Sequence, residues 1–331
     1  MPGLSRGRYV ARQVRGALVP AWPAVGAGDA GGGPRMAVLD TATAGTAGGE
    51  PIPGADAGAD RGAEPEAGPV PDDVAVTGAD IAAAQRLRHL VFVERGGAVA
   101  RDDGRERDAF DARCLHVLIE DRASGALVCC FRLLPLARGG EIGRSYAAQF
   151  YDLSGLAAFG GPMVEMGRFC LHPDWHDPDI LRVAWAEVTR IVDAMGVEML
   201  FGCSSFRGTD AAAYADAFEM LRRRHLAPDP WRPRVKAPQI IHFAPGGRPA
   251  PDGPKPDGPT PDRPAPDRHA PDRRRALLSM PPLLRTYLAM GGWVSDHAVV
   301  DTRMNTLHVF TGVEISAIPP ARARALRAVA G

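Results

Sequence analysis

Residues 163–172, MVEMGRFCLH, read as a β-strand, yet Glu165 and Arg168 interrupt the apolar run. A second strand-like run, residues 128–135 (VCCFRLLP), carries Arg132 in the same way. An ordinary core strand would place Val or Leu at these positions. Burying a charge is costly unless it is paired, so Arg132, Glu165 and Arg168 should face one another, a cleft or a ligand. Upstream, Arg88 and Phe92 in RHLVF and Asp108 and Asp111 in DAFD extend the set to seven residues.

Working outward, CLHVLIED and ALVCCFRLLP are two strands joined by Arg122-Ala-Ser-Gly125, a hairpin signal. Thr77-Gly-Ala-Asp80 has capping-box spacing and opens a helix whose Ile81, Ala84, Leu87, Val91 and Phe92 share a face, ending at Gly96–Gly97. After MVEMGRFCLHP, Asp177 or Asp179 can cap the helix ILRVAWAEVTRIVDAMG. Strand VEMLFGCSSF, helix AAAYADAFEMLRRRH and a last strand VKAPQIIHF follow. Beyond them Ser279 is expected to cap MPPLLRTYLAMGG, ahead of strands VSDHAVVD and TLHVFTGVEI. This order of elements is α+β, with a mixed sheet flanked by helices, and not doubly wound.

Most of the 38 Gly and 31 Pro fall in two tracts. Residues 1–71 are a low-complexity tract, and residues 244–273 repeat PDG, PDR and APD units. Neither can bury enough apolar surface to offset chain entropy, so both are expected to be disordered. One domain over 72–315 remains, interrupted by the 244–273 insertion and followed by a basic tail, 316–331. The basic, acid-free start lacks a clear leader pattern; an alternative start at Met36 would leave the first tract unmade.

The formal net charge is +0, which gives no argument for nucleic acid. The five cysteines, Cys114, Cys129, Cys130, Cys170 and Cys203, form no CxxC pair and read as buried thiols of a reducing cytosol. Cys170, His172 and His176 lie close in sequence but match no standard zinc spacing, so no metal is expected. No GxGxxG or GxxxxGK[ST] appears. No apolar run reaches membrane-spanning length, and a cytoplasmic location is expected.

The series Arg88, Phe92, Asp108, Asp111, Arg132, Glu165 and Arg168-Phe169 resembles acyl-homoserine-lactone synthases and their GNAT-like acyltransferase relatives. The Trp usual after their first helix is replaced by ERGGAVAR. The second half departs further. GRFCLHPDW, LFGCSSFRGTD, RRRHLAPDPWRPRV, RRALLSMPPLLRTYLAMGGWVSDHAVVD and MNTLHVF are similar to L-ornithine Nα-acyltransferases. The resemblance spans residues 79–243 and 273–315.

It implies a GNAT-like fold whose central strands splay apart. It also implies transfer of a 3-hydroxyacyl chain from acyl carrier protein to the α-amine of L-ornithine, giving lyso-ornithine lipid without a further cofactor. In that reading Glu165 and Arg168 are the catalytic candidates, with Glu165 holding or deprotonating the amine. Arg88, Phe92, Asp108, Asp111 and Arg132 are substrate-binding candidates, although ion pairs among the charged ones explain them equally. Backbone N–H groups near Phe169 and Cys170 would meet the oxyanion and the pantetheine. Acidic Asp177 and Asp179 oppose phosphate at the following helix, which favours a carrier-protein donor over coenzyme A. Cys203 is a conceivable nucleophile, but a buried thiol at a strand end is the simpler reading. Arg222, Arg223 and Arg224 could dock the carrier protein or anionic lipid at the inner face of the cytoplasmic membrane. Two rival readings remain: a lactone synthase using S-adenosylmethionine, and a non-enzymatic acyl-binding or carrier-binding module.

Overall fold

The computed structural model describes residues 8–18, 78–243 and 272–330. The first strand, β1 (Tyr9–Arg15), precedes helix α1 (Gly78–Arg88), the hairpin β2 (Leu115–Asp121) and β3 (Leu127–Leu136), and the short β4 (Tyr151–Asp152). Next come β5 (Met163–Leu171), α2 (Pro178–Ala194), β6 (Met199–Arg207), α3 (Ala215–Arg224), β7 (Arg234–Val235) and β8 (Ile240–His242). The last part holds α4 (Arg273–Ser279), α5 (Pro282–Ala289), β9 (Trp293–Val294), β10 (His297–Asp301), β11 (Thr306–Glu314) and α6 (Pro320–Ala330).

The main sheet runs β1-β2-β3-β5-β6-β11-β10-β8, with β9 also on β11. Its neighbours are antiparallel except β5 and β6, which are parallel. This is the mixed sheet flanked by helices that the element order implies. β3 is buried on both faces because Phe131 and Leu133 join one core, while Leu134 and Leu136 join another. A strand covered on both faces needs a continuous apolar run and not an alternating one. Asp177 caps α2, Pro178 occupies its first turn, and Ile180, Ala184, Val188 and Ile191 form the stripe it buries on the sheet.

Two irregularities shape the middle of the sheet. β5 and β6 pair only from Met163–Met199 to Met166–Gly202, then part, while β6 stays paired with β11 along its whole length. Gly202 is required at the parting point: a Cβ there would collide with the Met166 carbonyl oxygen. The second irregularity is a bulge in β5. Arg132 faces Gly167 and Cys130 faces Cys170, so β5 carries one residue more than β3 over that interval. Arg168 takes up the extra length at φ 53°, a left-handed conformation uncommon for a side chain of its size.

Several expectations need correction. Within the tract 1–71, expected to be disordered, residues 9–15 form β1, and all seven pair with β2, while residues 1–7 and 19–71 lie outside the described residues. The strand is anchored by Tyr9, whose hydroxyl donates to Asp177, and by Arg8 and Arg12 against Asp121 and Glu120. Within YVARQVR, Tyr9, Arg12 and Gln13 meet Asp177, Glu120 and Glu187, an arrangement that local composition conceals. A chain begun at Met36 would lack this strand. The basic tail forms α6, joined to α2 by Arg327–Asp193. Ser279 ends α4, its hydroxyl donating to the Ala276 carbonyl, and Pro281 is the residue before α5. VKAPQIIHF is split between β7, which pairs with β4, and β8, which pairs with β10. After α1 the helix widens into a π-turn, His89–Glu94, carrying Phe92. Thr77 and nearly all of the 244–273 insertion lie outside the described residues. Among the described residues no helix is long and apolar enough to cross a membrane.

Candidate functional site

The charged residues of the series converge where the bulge in β5 meets β3 and α1. Arg88, 1% exposed, pairs with Glu106 at 2.6 Å and Asp111 at 2.7 Å. Arg132 donates through both terminal nitrogens to Asp108, at 2.6 and 2.7 Å, and through Nη1 to Asp111 at 2.8 Å. Arg168 reaches Glu106 at 2.9 Å and Asp108 at 3.2 Å. Three guanidiniums therefore meet three carboxylates, which satisfies the pairing that burial demands. Burial alone would raise the carboxyls of Asp108 and Asp111. The guanidiniums of Arg132 and Arg88 outweigh it and hold both below the ordinary carboxylate range.

Glu165 stands apart from these ion pairs. It is 4% exposed, and its two oxygens accept the backbone N–H groups of Tyr146 at 2.6 Å and Ala147 at 2.7 Å. Burial pushes its pKa up to about 7, against the opposing pull of those two N–H groups and of Arg132 and Arg168. A carboxyl that titrates near neutrality can take up a proton at working pH.

Two cavities flank this region. A cleft of about 480 Å³ opens where β5 and β6 part, and Phe92, Arg132, Glu165, Arg168, Phe169 and Cys170 are among the residues lining it. A second chamber of about 470 Å³ is lined by Arg105, Glu106, Asp108 and Arg303 among others. Phe110, Tyr146, Arg168, Asp301 and Met304 line both, so the cavities share a wall. Arg168 lies over the Tyr146 ring at 4.7 Å, which fixes the side chain on that wall.

Of the residues singled out in sequence, Arg88 and Asp111 line neither cavity; Asp111 pairs with Arg132, and Arg88 pairs with Glu106, which also binds Arg168. Cys203 lines the cleft, but burial, reinforced by Glu165, keeps its thiol far above its usual pKa and therefore neutral. Burial also pushes His308, another cleft residue, down to about 3, so its imidazole is uncharged. Arg222 and Arg223 pair with Glu219 on α3, whereas Arg224 is exposed at the helix end. Asp177 accepts the Asp179 N–H at the start of α2 and also receives Tyr9, so a carboxylate already occupies that helix terminus. Among the described residues no group of three or more His, Cys, Asp or Glu side chains is arranged to hold a metal.

The sequence reading missed Glu106, Tyr146, Asp301 and His308. Glu106 sits in RDDGRERD, which looks like a solvated charge run. Tyr146 lies in a loop where only the clustering of aromatics in SYAAQFY gave a signal. Asp301 and His308 belong to the C-terminal hairpin, 130 residues or more from β5, and no local spacing connects them to it.

Residues 87–186 match the acetyltransferase (GNAT) domain family. The L-ornithine N(alpha)-acyltransferase of Rhodobacter capsulatus is 35% identical over 248 residues, covering 72% of this chain and 87% of that protein. The protein of the same name from Agrobacterium fabrum is 28% identical over 250 residues, covering 72% of this chain and 78% of that one. Among solved structures, an N-acyl amino acid synthase from uncultured soil microbes matches with 9% identity and a TM-score of 0.40, over 75% of this chain and 95% of that chain.

Proposed function

We propose, for a chain that belongs to the L-ornithine N(alpha)-acyltransferase family, that it transfers a 3-hydroxyacyl group from acyl carrier protein to the α-amine of L-ornithine, giving lyso-ornithine lipid. The observation that carries this reading is the placement of Glu165, with a pKa of about 7, in the cleft beside the β5 bulge. Aminolysis of a thioester needs a neutral amine, a stabilised oxyanion and a protonated thiol leaving group. The α-amine nitrogen attacks the thioester carbonyl, the C–N bond forms, and the C–S bond breaks. Glu165 accepts the proton that the amine sheds, directly or through water, and the departing sulfur is protonated. The step needs no cofactor beyond the acyl donor.

Selectivity for the α-amine has an intrinsic source: reference α-amines titrate at about 8 and lysine-like amines at about 10.4, and the carboxylate of a free amino acid narrows that gap without closing it. The oxyanion would be met by backbone N–H groups at Phe169 and Cys170, where the bulge breaks the regular ladder. Arg168 stays charged through its ion pairs and lies at the junction of the two cavities, suited to a developing negative charge. The carboxylate at the start of α2 disfavours phosphate there, which supports a carrier-protein donor over coenzyme A. Arg224, with Arg222 and Arg223 beside it, is the proposed docking point for that acidic carrier. The test is direct: purified protein, L-ornithine and 3-hydroxyacyl carrier protein should yield an N-acylornithine by mass spectrometry. No product with this donor or with acyl-coenzyme A would overturn the reading.

A further inference from the structure

We infer that the second chamber seats the amino-acid acceptor and that Asp301 binds the acceptor's non-reacting ammonium group, so that the turn after β10 selects a diamino acid. This rests on the N-acyltransferase reading above and names the part of the site that chooses the acceptor.

A two-substrate transfer needs two approaches that meet, and the cleft and the chamber meet at the wall carrying Tyr146, Arg168 and Asp301. The cleft is rich in apolar side chains, which suits an acyl thioester. The chamber is lined by charge of both signs, but most of its carboxylates are already neutralised. Glu106 and Asp108 are tied to arginines at 2.6–3.2 Å.

Asp301 differs from them. It is 8% exposed, and its Oδ1 accepts the backbone N–H groups of Arg303 and Met304, each at 3.0 Å. Those two bonds fix the carboxylate, and Oδ2 has no hydrogen-bond partner among the described residues. No cationic side chain among the described residues forms an ion pair with it. A largely buried carboxylate without a counter-ion is costly, and an ammonium group arriving with the substrate removes that cost. At the rim, the guanidiniums of Arg105 and Arg303 are exposed and have no ion-pair partner among the described residues, so they can receive a carboxylate. One carboxylate held at the rim and one ammonium held at the wall describe an amino acid with a second amine.

Asp301 is assigned the side-chain ammonium because the reacting amine must lose a proton. A fixed anion beside that amine would favour its protonated form, whereas the side-chain group stays charged throughout.

The test compares wild type with Asp301→Asn using L-ornithine and L-norvaline, which has the same carbon chain without the side-chain amine. Asn retains Oδ1, so the turn keeps both backbone hydrogen bonds. The wild type should prefer ornithine by about ten- to a hundredfold in kcat/KM, the range of one charge-assisted hydrogen bond. Asp301→Asn should abolish that preference, chiefly through the KM for ornithine, and cost norvaline far less. An intact preference, or an equal loss for both acceptors, overturns the inference. Calorimetric titration of each amino acid into each protein without donor separates this idea from the proposed reaction. Weaker ornithine binding in Asp301→Asn upholds the chamber even if no product forms, and equal binding refutes it.

Discussion

Glu165 accepts the backbone N–H of Ala147 at 2.7 Å, which ties the candidate base to the loop carrying the Tyr146 wall. Burial raises this carboxyl to about 7, so its proton is lost only as pH rises through neutrality. Turnover should therefore climb with a limb near pH 7. Glu165→Gln should erase that limb and lower kcat by about 10²- to 10⁴-fold. The sign for stability is opposite. Ionising a buried carboxyl is unfavourable, so wild-type Tm should fall as pH rises from the ordinary carboxyl range through about 7, and the variant should not share that fall. Rate and melting profiles measured over the same pH series check both.

Arg88 lines neither cavity, and we propose a supporting role for it in place of a ligand role. Arg88→Met should destabilise the fold by about 3–5 kcal/mol, because Glu106 and Asp111 lose the charge that pairs them. Denaturant titration reads this loss. The KM for the acceptor, measured on the folded fraction, should stay near the wild-type value; a large rise would restore Arg88 as a binding residue.

Cys203 should be dispensable. Its thiol is neutral in the cleft, and direct attack by the amine needs no acyl-enzyme. Cys203→Ala should keep turnover within about threefold of wild type, and intact-protein mass spectrometry should find no acylated enzyme during turnover.

Removing β1 should harm the sheet. A chain begun at Met36 exposes the edge of β2, and an uncovered strand edge invites association. Light scattering and thermal melting of that truncation should show aggregation at a lower temperature than the full chain.

Charge reversal at Arg224 tests donor docking. Arg224→Glu should raise the apparent KM for acyl carrier protein at low salt, and added salt should shrink the difference. An unchanged KM at low salt would move docking elsewhere.

The sheet's central strands, the hairpin and α2 were legible because apolar runs, caps and turn residues are local signals. The charged interruptions at Arg132, Glu165 and Arg168 were legible for a related reason, since a charge inside an apolar run has to be answered somewhere. Who answers it was not. Glu106 sits in a run of charges and pairs with Arg88, 18 residues before it, and Arg168, 62 residues after it. Asp301 reaches the site only because β10 and β11 fold back beside β6, a pairing that no short window of sequence contains. β1 escaped notice because its pairing partners lie 100 residues or more away, inside a stretch whose composition argues for disorder.

Gly202 gives the sheet a mechanical property. Four consecutive residue pairs join β5 to β6, and these are the seam between its two halves. The seam ends where the absence of a side chain lets two backbones touch. A methyl group at that position would act as a wedge in a hinge, prising the halves apart at the point from which the cleft widens. The width of the cleft is thus set by a residue that contributes no atoms to its walls.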